Sequence, residues 1–204
     1  MLDAAHIVHL HDQANASWHD PSLPDPAPGN PWDALVLDQH TANFELWHHE
    51  DASRDLTASD HDITEHKHTI DAVNQRRNDL AEQIDLLLLA SIPPQDESAP
   101  LHSETPGMII DRLSILSLKH FHTAEEAVRA DATPAHHQRN RERLAVLDVQ
   151  RSDLAGCLDA LWRDIQNGRR RFKLYRQLKM YNDPTLNPVL YRSAIVNSAD
   201  SGEG

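Results

Sequence analysis

The most constraining feature of this sequence is a set of four helix-start signals, each followed by a long segment of helical periodicity. The signals are Asn30-Pro31, Ser59-Asp60, Thr105-Pro106 and Thr133-Pro134. Asn, Ser and Thr side chains accept hydrogen bonds from first-turn amides, and proline suits the first helical position. The segments that these signals open end near Arg54, Ala90, Ala130 and Asn167. The sequence therefore predicts four long helices.

A shorter helical segment, about Ala4–Ala16, precedes the four long ones, and a proline-rich linker over residues 20–30 follows it. Long helices with short connections pack as antiparallel neighbours. We predict an all-α fold, an antiparallel bundle of four long helices with a short N-terminal helix and a basic C-terminal segment. We expect a single domain over residues 1–192, with a short helix around Tyr175–Tyr181, and a disordered tail over residues 193–204.

The composition narrows the classes of function. The net charge of −13 disfavours nucleic acid and anionic lipid as partners. The single cysteine, Cys157, excludes an internal disulfide and a cysteine-rich zinc site. No signal peptide is apparent and no apolar run approaches eighteen residues, so we expect no membrane span and a cytoplasmic location. No phosphate-binding loop or dinucleotide motif is present, and no cofactor is predicted.

The charge is unevenly distributed along the chain. Residues 1–105 contain four Lys or Arg and twenty Asp or Glu, whereas residues 106–204 contain fifteen and twelve. Within the second half, the segment Arg169–Lys179 carries six positive charges interleaved with Phe172 and Tyr175. Such mixtures can bind nucleic acid or phosphate. Because the first half is so acidic, we favour a basic strap that packs on it.

Several charged and polar side chains fall inside the apolar stripes of the predicted helices. They are Asn43, Trp47, Glu50 and Arg54 on the first long helix, Asn74 and Arg77 on the second, and Asp111, Arg112 and Lys119 on the third. A buried charge is costly unless it is paired. We therefore predict that Glu50, Arg77 and Arg112 converge on one pocket. If the site is open, its two carboxylates and four cations would bind an anion. If the charges form a closed ion-pair network, they would only fix the register of the helices. The pattern alone favours neither interpretation.

Two Glu-x-x-His motifs, Glu45-x-x-His48 and Glu65-x-x-His68, have the spacing of ligands in di-iron helical bundles. Such ligands must project into the bundle core. On a helical wheel both motifs point away from the apolar faces of their helices. We therefore expect these side chains to be solvated, and we predict no metal site.

Four ordered motifs carry a resemblance to a known family. They are Asn43-Phe44-x-Leu46-Trp47-His48-x-Glu50-Asp51-x-x-Arg54, Ile70-Asp71-x-x-Asn74-x-Arg76-Arg77, Thr105-Pro106-Gly107-x-Ile109-x-Asp111-Arg112-Leu113 and Tyr181-Asn182-Asp183-Pro184. Together they resemble an uncharacterised bacterial all-helical family, domain of unknown function 4254, over roughly residues 5–192. The resemblance implies no established activity. Members lie beside glycosyltransferases in surface-polysaccharide regions, which implies a sugar-phosphate or nucleotide-sugar ligand.

The leading hypothesis is a protein of cell-envelope glycan assembly, an enzyme or a ligand-binding protein, that holds an anionic sugar-type ligand. Glu50 and Asp111 are its catalytic candidates. The ligand-binding candidates are Asn43, Trp47, Asp51, Arg54, Asn74, Arg77, Arg112 and Lys119. The alternative is a non-catalytic partner of a glycosyltransferase in which the interior charges are purely structural. A metalloprotein is the third and least favoured hypothesis.

Overall fold

A computed structural model describes residues 2–176 and 185–189 of the chain. The chain divides into two compact units, Met1–Leu174 and Tyr175–Gly204. Five helices lie in the first unit: α1 (Ala4–His19), α2 (Pro31–Ala52), α3 (Asp60–Ala90), α4 (Pro106–Val128) and α5 (Pro134–Gln166). Over the described residues the only β feature is an isolated bridge between Leu101 and Arg171. The all-α prediction is confirmed. Most of the predicted Tyr175–Tyr181 helix and the whole 193–204 tail lie outside the described residues.

The predicted caps start the four long helices. The Asn30 side chain accepts from the Asp33 amide, and Thr105 and Thr133 likewise accept from amides three residues ahead. Ser59 forms a reciprocal capping box with Asp62. Each cap satisfies a first-turn amide that would otherwise lack an intrahelical partner. The helix starts were therefore readable from the sequence.

Helix α4 lies at the centre of the bundle and contacts each of the other four helices. The main hydrophobic core joins residues of all five helices, with Ile7, Ile84, Ile110, Leu113 and Leu158 fully enclosed. A smaller apolar cluster lies between α2 and α3 and includes Leu46 and Val73. None of the helices in the described part of the chain is long and apolar enough to cross a membrane.

The approach of α3 to α4 requires a glycine. A Cβ atom on Gly107 would collide with the Ala81 carbonyl oxygen and would come within 2.9 Å of Asp85 Oδ1. The Gly107 amide donates to that same Asp85 oxygen at 2.7 Å. Burial raises the pKa of Asp85 to about 6, although hydrogen bonds from Thr105 and Gly107 oppose the rise. Gly107 therefore sets how closely the two helices approach.

Residues after α5 return to the loop between α3 and α4. Phe172 is 1% exposed, and its amide and carbonyl both bond to the Gln95 side chain. Arg171 donates to the Ala99 carbonyl, whereas Arg169 pairs with Asp164 of α5 itself. The described part of the basic segment thus attaches through an aromatic side chain and backbone groups more than through carboxylates.

Candidate functional site

A pocket of about 340 Å³ opens between α2, α3 and α4. Seven of the ten predicted site residues line it: Asn43, Trp47, Glu50, Asp51, Arg54, Asn74 and Arg77. Leu46, Ile115 and Leu118 supply the apolar part of the wall. Helices α2 and α3 pack side by side against α4, and this arrangement brings the polar positions of their apolar stripes to one place.

Arg77 and Asp111 form a bidentate ion pair beside this pocket. Arg77 Nε lies 2.8 Å from Asp111 Oδ1, and Nη2 lies 2.7 Å from Oδ2. Gln39 and Asn43 also donate to Oδ1, at 2.6 and 2.9 Å. Asp111 therefore receives four hydrogen bonds from protein groups, which compensate for its burial. This arrangement favours a positioning role for Asp111 over a role as base.

A chain of hydrogen bonds continues from this pair into the core. Asn43 donates to the Ser114 hydroxyl at 2.9 Å, and Ser114 lies 2.7 Å from His40 Nδ1. His40 Nε2 lies 2.9 Å from the Asn15 amide oxygen on α1. An amide oxygen only accepts, so Nε2 carries the proton and Nδ1 accepts from Ser114. Burial lowers the pKa of His40 to about 3, so the ring is neutral.

Sequence reasoning missed Gln39, His40 and Ser114 as members of this network. A spacing signal existed for one of them. Gln39 lies four residues before Asn43, which lies four before Trp47, so the polar stripe on α2 begins one turn earlier than predicted. His40 and Ser114 lack such a signal, because single polar residues within apolar helices show no partner until the helices are packed.

The pocket mouth is more exposed and carries the remaining charges. Glu50 Oε2 pairs with Arg54 Nη1 at 2.7 Å, and their side chains are 43% and 67% exposed. Asp51 joins the lining beside them. The Trp47 ring stacks on His122 with centroids 4.9 Å apart and planes inclined by 12°. The mouth therefore offers two carboxylates, one guanidinium and one indole to a ligand.

The predicted convergence of Glu50, Arg77 and Arg112 is wrong for Arg112. Arg112 Nη1 pairs with Glu104 at 2.7 Å and lines a separate cleft of about 740 Å³ between α4 and α5. Lys119 lines that same cleft. The reason is geometric, because successive residues on a helix point about 100° apart. Asp111 faces α2 and α3, so Arg112 faces the side of α5.

This displacement changes the charge of the pocket. With Arg112 and Lys119 elsewhere and Asp51 present, the residues at the pocket and its adjoining ion pair comprise three carboxylates and two guanidinium groups: Glu50, Asp51, Asp111, Arg54 and Arg77. The predicted local positive excess is therefore wrong for this site. Any anionic group has to be held by Arg54 and by the part of Arg77 that Asp111 does not engage.

The Glu-x-x-His motifs do not act as paired ligands. Glu45 forms an ion pair with Arg76 of α3 at 2.6 Å. Glu65 and His68 are both exposed on α3. His48, in contrast, lies among other histidines, with its ring centroid 5.3 Å from that of His19. The expectation of solvated motifs thus describes the second motif better than the first.

Comparison with known proteins identifies one family. The family model described as protein of unknown function, DUF4254, matches residues 33–174. The match runs from the first turn of α2 to beyond the end of α5 and includes all ten predicted site residues. Neither a curated protein nor a solved structure gives a significant match.

Proposed function

This chain belongs to the DUF4254 family of proteins of unknown function, and we propose that it binds a sugar-type ligand in the pocket between α2, α3 and α4. The observation that carries the proposal is the pocket lining, in which Trp47 stands beside the carboxylates Glu50 and Asp51 and the amide of Asn74. An indole offers an apolar face, and carboxylates and amides bond to hydroxyl groups. A ligand with apolar ring faces and many hydroxyls matches both.

The proposed ligand is a sugar phosphate or nucleotide sugar of bacterial cell-envelope polysaccharide assembly in the cytoplasm. Arg77 Nη1 contacts Asn74 Oδ1 only at 3.4 Å, a long hydrogen bond, so it has capacity for a phosphate oxygen. Arg54 is the second guanidinium at the mouth. Because carboxylates outnumber these cations, we expect the sugar hydroxyls to contribute more to affinity than the phosphate.

Glu50 is the candidate base of this site. It is partly exposed, lines the pocket and pairs with Arg54, which lies just beyond the end of α2. Asp111, with four protein donors, holds Arg77 and Asn43 in place instead. Glu50→Gln separates an enzyme from a binding protein. Retained affinity with lost turnover identifies Glu50 as a catalytic base, and affinity without turnover in the wild type identifies a binding protein.

The test is a thermal-shift and calorimetric screen of free sugars, sugar phosphates and nucleotide sugars. A ligand at one hundred times its Kd stabilises the folded state by about 2.7 kcal/mol. Asn74→Ala should weaken the binding of any hit, whereas Gln75→Ala should not, because Gln75 bonds to Asp79 on the exposed face of α3. Equal effects of the two substitutions would contradict binding in this pocket.

A second candidate function is a non-catalytic partner of a glycosyltransferase. The observation that favours it is the closed Arg77–Asp111 pair, whose carboxylate is satisfied by protein donors alone. Under this hypothesis the network only fixes the register of α2, α3 and α4. A screen without any hit, together with a large loss of stability on removing Arg77, would favour this function over ligand binding.

A further inference from the structure

Three histidines from three different helices meet next to the proposed ligand pocket. They are His19 at the end of α1, His48 on α2 and His122 on α4. Each ring offers one nitrogen, and the three nitrogens lie within 4.8 Å of one another. None of the three lines the pocket, but His122 stacks on Trp47, which does. This group is referred to below as the histidine cluster.

Hydrogen bonds fix the tautomer of every ring in the cluster. Each ring bonds through Nδ1 to an oxygen of its own helix: His19 to the Asn15 carbonyl at 2.7 Å, His48 to the Phe44 carbonyl at 2.8 Å and His122 to the Glu125 carboxylate at 3.0 Å. These oxygens only accept, so Nδ1 carries the proton in all three neutral rings. The lone pair is then on Nε2 in each case.

Two of these Nε2 atoms are buried without a hydrogen-bond partner. His19 Nε2 and His122 Nε2 are both inaccessible to solvent and make no hydrogen bond to any described residue. A buried acceptor is normally satisfied, because leaving it unpaired costs its lost hydration. Two such acceptors in one cluster, with the exposed His48 beside them, leave lone pairs available to a ligand from outside the chain.

The rings are also held by aromatic packing. His19 stacks on Phe121 with centroids 4.3 Å apart, and His48 lies 4.3 Å from the Phe44 ring. With the Trp47–His122 stack, every ring of the cluster has an aromatic neighbour from the bundle. Nδ1–H bonded to a carbonyl or carboxylate, with Nε2 left to ligate, is how metal-binding histidines are oriented in proteins.

We infer that the histidine cluster binds a divalent transition-metal ion of the zinc type through the three Nε2 atoms. Neutral imidazoles suit Zn²⁺, Co²⁺ and Ni²⁺, and three protein ligands leave a fourth position for water or another ligand. Tetrahedral bonds of 2.0–2.1 Å require ligand nitrogens about 3.3 Å apart. The rings therefore draw together on binding, and the exposed His48 has the freedom to make the largest movement.

The experiment uses the tag-free full chain, stripped of metal by chelation, and titrates it with ZnCl₂ in a calorimeter. The matched variants are His48→Ala and His68→Ala, because both histidines are exposed and both belong to a Glu-x-x-His motif. We expect one tight equivalent of Zn²⁺ in the wild type and in His68→Ala, and its loss in His48→Ala. Circular dichroism verifies that the His48 variant remains helical.

A second variant tests the carboxylate behind His122. Glu125→Gln keeps the side-chain shape but removes the charge that orients the ring, so Zn²⁺ should bind about ten- to a hundredfold more weakly.

Bound Co²⁺ should give the intense visible absorption of a four-coordinate site, and His48→Ala should abolish it. Equal Zn²⁺ stoichiometry and affinity in the His48 and His68 variants would overturn the inference, as would several equivalents of weak sites only. None of these readouts involves a sugar ligand, so they are independent of the proposed function.

Discussion

Two ion pairs lie on different faces of α4, and they have the same length but different surroundings. Arg77–Asp111 faces α2 and α3, Arg112–Glu104 faces the cleft beside α5, and both have a closest N–O distance of 2.7 Å. The first pair is 27% and 11% exposed, and the second is 56% and 28% exposed. Only the first carboxylate has further side-chain donors from α2, Gln39 and Asn43. Burial and the number of hydrogen-bond donors, not the N–O distance, decide how much each pair contributes to the stability of the bundle.

The comparison also separates two roles within the predicted site. On the buried side, the carboxylate connects α2, α3 and α4 and leads through Ser114 to His40. On the α5 side, Arg112 and Lys119 line a wider cleft whose walls include Asp153 and Cys157. Removing a group from the first side should change the stability of the bundle, whereas removing one from the second should change little.

The largest effect is expected from Arg77→Met. The substitution leaves Asp111 buried without its cation, which should lower the free energy of unfolding by about 3–5 kcal/mol. Chemical denaturation followed by circular dichroism measures the loss. Arg76→Met is the control, because Arg76 pairs with Glu45 on the exposed side of α3 and should cost at most about 1 kcal/mol. Unchanged or increased stability in the Arg77 variant would contradict a structural role for the Arg77–Asp111 pair.

The next effect concerns the contact between α3 and α4. Gly107→Ala places a methyl group against the Ala81 carbonyl oxygen and forces the helices apart, at a cost of about 3 kcal/mol. Gly156→Ala is the matched control on α5, where a Cβ meets nothing within 4 Å. That substitution should stabilise its helix by about 0.5–1 kcal/mol. Effects of the same sign in the two variants would contradict the close approach.

The buried network should also make stability depend on pH. The folded-state pKa of His40 is lowered to about 3, whereas the unfolded ring takes up a proton near 6.5. The unfolded state therefore binds more protons over this range, and stability falls as the pH falls. From pH 7 to 5 the loss from this ring is about 2 kcal/mol. Burial lowers the pKa of His11 as well, so it acts in the same direction.

Asp85 acts in the opposite direction, which determines the design of the measurement. Its pKa is raised to about 6 in the folded state, so it gains a proton before its unfolded counterpart and adds stability as the pH falls below 6. The test is therefore the difference between the wild type and His40→Gln at pH 7, 6 and 5. The wild type should lose stability more steeply than the variant. Parallel curves would show that His40 titrates normally.

The sequence was sufficient for the fold because the signals were local. Asn30, Ser59, Thr105 and Thr133 each act on amides within their own first turn, so their caps could be read without knowing the tertiary structure. The site was only partly predictable. Helical spacing placed six of the pocket residues on the correct faces, and the family resemblance supplied the seventh, Asp51. Spacing could not decide which neighbouring helix each face of α4 packs against.

Arg112 and the histidine cluster illustrate that limit. Arg112 follows Asp111 by one residue on α4 and therefore faces α5. A helical wheel could not predict this direction, because α4 is apolar nearly all round. His19, His48 and His122 are far apart in the chain. They come together only when α1, α2 and α4 pack against one another, and the periodicity of a single helix cannot predict that packing. The predictions that depended on tertiary contacts were therefore the ones that needed coordinates.

The smallest effect is expected on the α5 side of α4, and it provides the sharpest contrast with Arg77. Arg112→Met should change the free energy of unfolding by no more than about 1 kcal/mol, because the Arg112 side chain is more than half exposed and solvent screens its pair with Glu104. A double-mutant cycle with Glu104→Gln should give a coupling energy in the same range.

Arg54→Met, at the pocket mouth, should change the free energy of unfolding just as little, because the Arg54–Glu50 pair is also exposed. The two variants should differ only in binding: if a phosphorylated sugar occupies the pocket, Arg54→Met weakens it and Arg112→Met leaves it unchanged. A weaker affinity in the Arg112 variant would move the anion site from the α2–α3 side of α4 to the α5 side.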